Sequence, residues 1–231
     1  MSILTGGTVA AHPYPWPYGG ALELDRTALI LIDWQHDFCG PGGYVDTMGY
    51  DLSLTRAGIA PTRRLLARWR ELGGPVVHTR EGHLPDLSDC PENKLWRSRR
   101  IGAGIGDAGP YGRILVRGEP GWQIINELAP LAGELVIDKA TKGSFCGTEL
   151  NERLRELDVD HLVFTGITTD VCVHTTMREA NDRGYECLLL EDCTGATDAE
   201  NHRAAIHMVG MQGGVFGATA TSLAVLTTLG A

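Results

Sequence analysis

The sequence predicts an α/β fold in which a mostly parallel sheet is covered by helices on both faces. Three observations carry this. Continuous apolar runs such as Thr27–Asp33 (TALILID) suit strands buried on both sides. Amphipathic segments of helical period stand between such runs. Glycines close several of those segments, as at Gly73-Gly74 and Gly184.

The elements follow in order. After the first strand, Pro61–Leu72 reads as a helix: Pro61 suits a first helical position, and Leu65, Leu66, Trp69 and Leu72 share one face. Pro75–Thr79 is the second strand. From Arg80 to Gly121, Gly and Pro are frequent and periodicity is lost, which predicts a long functional loop with short helical pieces. Glu134–Asp138 is a short strand, and Thr148–Leu157 places Leu150, Leu154 and Leu157 on one helical face. A strand at His161–Thr165, a helix at Val171–Arg183 and a strand at Glu186–Glu191 continue the alternation. Thr197 and Glu200 have the spacing of a capping box and open a helix that ends near Gly210. Gly214–Phe216 is the expected last strand, before a C-terminal helix.

A chain of 231 residues suits one domain, with residues 1–20 as an extension packing on that domain or on a neighbouring subunit. The net charge of −9 argues against a surface that tracks nucleic-acid phosphates. It also favours a neutral or zwitterionic substrate over a strongly anionic one. No apolar run approaches the ~18 residues of a membrane span. The first twenty residues contain no Lys or Arg, so no signal peptide is expected. The six cysteines form no C-x-x-C pair and read as reduced thiols of a cytoplasmic protein. Gly104-Ile-Gly106-Asp-Ala-Gly109 has the spacing of a dinucleotide loop, but no strand precedes it and Pro110 follows, so no nucleotide is expected there. Lys94, Arg97, Arg99 and Arg100 read as salt-bridging, loop-covering or interface charges.

Parallel sheets bind ligands beyond the carboxyl ends of their strands. Three reactive side chains follow predicted strands: Asp33, Lys139 and Cys172. Cys172 falls in a first helical turn that Thr169 or Asp170 would cap. The helix end and Lys139 would lower its pKa. Asp33 would take the thiol proton and pass it to a leaving amine. Taken singly, each has a plainer role, as a core thiol, a loop-capping acid or a surface lysine.

The segments Asp33-Trp-Gln-His-Asp37-Phe38, Asp138-Lys139 with Gly143-Ser-Phe145, and Thr165-Gly-Ile-Thr168-Thr-Asp-Val-Cys172-Val resemble the isochorismatase-like cysteine hydrolases. The resemblance covers nearly the whole chain. It implies a three-layer α-β-α, Rossmann-like fold with a six-stranded parallel sheet. It implies an Asp33–Lys139–Cys172 triad, a cis peptide before Thr168, and an oxyanion hole made by the N–H groups of Thr168 and Cys172. The thiol points to amidases rather than to the ether-cleaving isochorismatases. The run His78-Thr-Arg80-Glu81-Gly-His83 lacks the Asp-x-His metal pattern of nicotinamidases, so no metal and no cofactor are expected. His78 and His83 are then structural or loop residues.

Segments such as Pro13–Tyr18, Gly42–Asp46, Arg97–Asp107 and Met211–Phe216 resemble the ureide hydrolases of the family. Biuret hydrolase comes foremost, with triuret and ureidoacrylate hydrolases as near relatives. That likeness implies cleavage of a C–N bond through a covalent Cys172 intermediate, biuret giving allophanate and ammonia. It also implies Phe38 as a pocket wall, Lys142 and Gln212 as substrate-binding residues, and a homotetramer. The non-enzymatic alternative is an inactive binding protein of the same fold.

Overall fold

The computed structural model describes residues 7–231. Its centre is β1 (Thr27–Ile32), buried along its whole length. Side chains alternate across it. Leu29 and Leu31 enter one core, while Ala28, Ile30 and Ile32 enter the other. The short helices α1 (His36–Cys39), α2 (Tyr44–Thr47) and α3 (Leu52–Arg56) follow, then α4 (Ile59–Glu71) and β2 (Val76–Glu81). Beyond β2 come α5 (Glu92–Arg100) and a small antiparallel hairpin of β3 (Ala108–Gly109) and β4 (Gly112–Arg113). The second half holds β5 (Leu135–Lys139), α6 (Leu150–Glu156), β6 (His161–Ile167), α7 (His174–Asp182) and β7 (Glu186–Gly195). It ends with α8 (Ala199–Gly210), β8 (Ala218–Ala220) and α9 (Ser222–Thr228).

Six strands form one parallel sheet in the order β5-β2-β1-β6-β7-β8. The α4 side chains Leu65, Leu66 and Trp69 and the α9 side chain Val225 share one core with Leu29 and Leu31. Leu150 and Leu154 of α6, Met177 of α7 and Val209 of α8 share the other with Ile30. The chain builds outward from β1 to β2 and β5, then returns to lay β6 on the other side of β1. Sheets of this kind place their ligand site at such a reversal, here beyond the carboxyl ends of β1 and β6. Residues 7–20 cross the β8 edge: His12 N–H donates to the Thr219 carbonyl at 2.9 Å, and Trp16 is buried edge-on against His161.

Some boundaries differ from the sequence expectation. The fourth helix begins at Ile59, so Pro61 lies inside the first turn, where its missing N–H costs nothing. Asp198, not Thr197, caps α8: its carboxylate accepts the N–H groups of Glu200 and Asn201 at 2.8 Å each, and its charge suits the positive helix end. The last strand is Ala218–Ala220 rather than Gly214–Phe216. Gly213 and Gly214 both have positive φ, which turns the chain there instead of extending it. The segment after β2 contains α5, a nine-residue helix whose charged sequence hid its period.

That segment is held by buried polar groups. The Gln35 amide donates to the carbonyls of Glu81 and Trp122 at 2.9 Å each, and its oxygen accepts the Glu81 N–H at 2.7 Å. Asp37 accepts the Leu115 N–H at 2.9 Å, and Gly121 lies close above its carboxylate. Burial pushes the Asp37 carboxyl up from 3.8 to about 6. No helix among the described residues is long and apolar enough to cross a membrane.

Because folding raises the Asp37 pKa, the folded chain keeps a proton that the unfolded chain releases. Its contribution to stability is full below pH 3.8 and is lost as the pH rises through about 6. The loss amounts to ~3 kcal/mol at about 1.4 kcal/mol per pH unit. In urea titrations from pH 4 to pH 7, the wild type should therefore lose most of that amount relative to Asp37→Asn.

A second test concerns the β1–β6 contact. Gly166 has φ +133°, and a Cβ there would stand 2.3 Å from the Ile32 carbonyl oxygen. Gly166→Ala combines a backbone clash with a strained conformation. It should cost ~3 kcal/mol or more in the urea midpoint analysis.

Candidate active site at the carboxyl edge of the sheet

The carboxyl ends of four strands deliver the site. Asp33 follows β1, Glu81 closes β2, Lys139 closes β5, and Cys172 lies in the turn after β6. The Lys139 ammonium is the hub. It sits 2.7 Å from Asp33 Oδ2 and 3.6 Å from Glu81 Oε2, and donates to the carbonyls of Thr141 and Lys142 at 2.9 and 3.1 Å. Asp33 Oδ1 accepts the Thr79 hydroxyl at 2.6 Å. The Cys172 thiol donates to Glu81 Oε2 at 3.3 Å. The structure thus brings together the three residues singled out from the sequence.

Two residues were missed. Glu81 is fully buried, and its Oε1 receives Lys94 at 2.7 Å and Lys142 at 2.8 Å. Lys94, from α5, also donates to the Ala140 carbonyl at 2.9 Å. Glu81 had a readable signal, since it too ends a strand, but the expected strand stopped two residues short of it. Lys94 lies in a segment without periodicity and carried no such signal.

Charge and burial oppose one another here. Burial alone would raise the Glu81 carboxyl, but Lys139, Lys142 and Lys94 outweigh it and hold it below the usual carboxylate range. Burial alone would lower the Lys139 ammonium, and Asp33, the Cys172 sulfur and Glu81 reverse that. For Cys172 burial wins. Lys139 and Lys142 pull the thiol down, yet burial, with Asp33 and Glu81, holds it well above its ordinary value. This corrects the expectation of a lowered thiol pKa. No side chain caps the turn either, so neither Thr169 nor Asp170 plays that part. Thr169–Val173 is a wide helical turn, and the regular helix starts two residues beyond the sulfur.

The turn is fixed by its backbone. The Thr168 carbonyl accepts the N–H groups of Val171 and Val173 at 3.2 Å each, and the Ile167–Thr168 peptide is cis. The Thr176 hydroxyl donates to the Cys172 carbonyl at 2.6 Å and accepts the Ser144 N–H at 3.1 Å, tying the thiol to the loop that follows Lys139.

A cleft of about 510 Å³ reaches this centre at Lys94 and Lys142 and is walled by Tyr44, Arg97, Ile101 and Ile105. A groove of about 640 Å³ at Arg70, Gly74 and Glu134 lies at the amino ends of β2 and β5, away from the thiol. Phe38 is buried edge-on against Tyr44, with ring centres 6.2 Å apart, and so backs the wall of the cleft. Gln212 is not brought to the cluster. It lies exposed at φ 55° in the turn that leads into β8, and no hydrogen bond joins it to these residues among those described.

One donor atom each from Asp33, Glu81 and Cys172 falls within 4.8 Å of the others, a spacing a metal ion could use. The donor set does not fit a metal, because the Lys139, Lys94 and Lys142 ammoniums already surround the two carboxylates. His78 and His83 are engaged elsewhere, His78 with Glu134 at 2.9 Å and His83 with Asp89 at 3.2 Å.

Known proteins resemble this chain in sequence or in structure. Ureidoacrylate amidohydrolase RutB of Cronobacter sakazakii is 33% identical over 179 residues, spanning 74% of this chain and 75% of that protein. Its counterpart in Methylobacterium radiotolerans is 34% identical over 206 residues, spanning 87% and 78%. A cysteine hydrolase from Pseudomonas syringae pv. phaseolicola superposes with a TM-score of 0.77 at 26% identity, covering 90% of this chain and 94% of that one. N-carbamoylsarcosine amidase from Thermoplasma acidophilum superposes with a TM-score of 0.65 at 26% identity, covering 85% and 96%. The isochorismatase domain profile matches residues 27–221, and the chain belongs to that family.

Proposed function

We propose that this protein is a cysteine amidohydrolase that cleaves a C–N bond of a small ureide. The observation that carries the reading is the convergence of Cys172, Asp33, Glu81 and Lys139 at the carboxyl edge of the sheet. Cys172 attacks the carbamoyl carbon. The N–H groups of Thr168 and Cys172 receive the oxyanion, next to the Lys139 charge. A carboxylate beside the sulfur takes the thiol proton and hands it to the departing amine. Water then hydrolyses the carbamoyl thioester and restores the thiol. Two relatives, named for activity on ureidoacrylate and on N-carbamoylsarcosine, support a carbamoyl group as the target.

Biuret is the substrate that the sequence resemblance favours, and Phe38 and Lys142 are its assigned pocket residues. A second reading rests on the cleft. Lys142 and Arg97 border it, and a ureide bearing a carboxylate would meet both.

Ammonia release measured across biuret, triuret, ureidoacrylate, N-carbamoyl amino acids and nicotinamide separates these readings. Turnover of at least one ureide and none of nicotinamide is expected. Cys172→Ser should lower kcat by roughly a thousandfold or more while the melting temperature stays put. Full activity in that variant would remove Cys172 from the mechanism.

A further inference from the structure

The proposed reaction needs two N–H groups held still while charge builds on the carbonyl oxygen. The turn that carries them is loosely fastened by its own backbone. We propose that His202 of α8 is a positioning residue: it grips the Thr169 hydroxyl and so fixes the turn whose Thr168 and Cys172 N–H groups receive the oxyanion. This rests on the amidohydrolase reading and deepens it.

Thr169–Val173 has no side-chain cap. The two N–H bonds to the Thr168 carbonyl are 3.2 Å long each, at the far end of the range for such bonds. A wide turn with long bonds needs a fastening from outside. The Thr176 hydroxyl holds the Cys172 end, through the Cys172 carbonyl at 2.6 Å. At the other end stands Thr169, next after Thr168 and fully buried. Its hydroxyl lies 2.8 Å from His202 Nδ1, although the two residues are 33 positions apart. No other hydrogen bond reaches that hydroxyl among the described residues.

The helix suits the part. Asp198 caps α8, and Ala205 and Val209, which share a helical face with His202, are buried. That period asks for an apolar side chain at position 202. A histidine there must find a polar partner, and Thr169 supplies one. Burial holds the imidazole below the usual histidine range, against Glu191 and Asp170 and with help from Arg203. The ring is therefore uncharged at neutral pH and adds no charge beside the sulfur. It lines a cavity of about 500 Å³ with His12, Glu191 and His207, which shares no lining residue with the cleft at Lys94 and Lys142. His202 thus acts through Thr169 from outside the substrate cleft.

Removing one oxyanion donor costs about a hundredfold or more in kcat. A donor that is only misplaced loses part of that. His202→Leu keeps the bulk and removes both nitrogens, and Thr169→Val removes the hydroxyl. Each should lower kcat about tenfold with KM nearly unchanged.

The experiment compares two reactions of Cys172 besides ammonia release. Acylation by p-nitrophenyl acetate, read as p-nitrophenolate, builds an oxyanion. Alkylation by iodoacetamide builds none. His202→Leu and Thr169→Val should slow acylation about tenfold and leave alkylation within about twofold of wild type. The double variant should be no slower than the slower single one, because both remove the same tie. His202→Asn, whose amide can stand where Nδ1 stood, should recover most of the loss. His207→Ala changes the same cavity without touching the tie and should leave both rates unchanged. The proposal is overturned if His202→Leu slows acylation less than about threefold, or slows alkylation in step with it. It is also overturned if the double variant multiplies the two losses, or if His202→Asn is no better than His202→Leu. Should His202→Leu fail to fold, the same two rates in Thr169→Val decide. Should the wild type release no ammonia from any ureide, the substrate reading fails, and the ratio of acylation to alkylation still decides the tie. A wild type that neither releases ammonia nor is acylated overturns both.

Discussion

The contact between the Lys139 ammonium and the Asp33 carboxylate, 2.7 Å apart and closed to solvent, constrains the rest of the molecule. Two charges removed from water cost several kcal/mol each unless their remaining hydrogen-bonding capacity is filled. Asp33 is completed by Thr79, which sits on β2 opposite Ile32. Lys139 is completed by the carbonyls of Thr141 and Lys142, so the chain must curl back at once after β5. That curl sets Lys142 against Glu81 and brings Ser144 to Thr176, whose hydroxyl holds the Cys172 carbonyl. One buried pair thus determines the register of two strands and the path of a loop.

The long segment after β2 is ordered by the same kind of constraint. It has one short helix and a four-residue hairpin, and little regular structure to hold it. Its anchors are polar: Gln35 to the carbonyls of Glu81 and Trp122, Asp37 to Leu115, and Lys94 to Glu81 and Ala140. Loops placed on a rigid scaffold commonly carry functional groups. Here the loop also supplies one of the three ammoniums that neutralise the site. Its folded position and the ionisation of Glu81 are therefore coupled.

Asp33, Lys139 and Cys172 were legible because each follows a strand whose apolar run is plain, and the rule that ligands gather at carboxyl ends of parallel strands needs no side-chain detail. The same rule would have found Glu81, but Val76–Glu81 turns polar at His78, so hydropathy ended the strand early although all but one of its residues are buried. Lys94 was hidden for another reason. The α5 sequence ENKLWRSRR carries five charges in nine residues, and it packs one leucine, Leu95, against the core and reaches inward with one lysine, too little for an apolar stripe. The lowered thiol pKa expected from a helix end failed because burial is a bulk effect of the whole fold, and a local motif does not report it.

A protonated resting thiol is consistent with a nucleophile. Oxidants attack the thiolate, so a sulfur that keeps its proton is spared oxidation between turnovers. The proton stored on it is also the one that the leaving amine requires. A permanent thiolate would attack as readily, but the departing nitrogen would have to draw its proton from water in a site built to be dry. The positive excess held by Lys94, Lys139 and Lys142 resolves the tension between a neutral thiol at rest and an anion in the transition state. At rest burial outweighs it at the sulfur, and it is matched only when negative charge appears on the carbonyl oxygen.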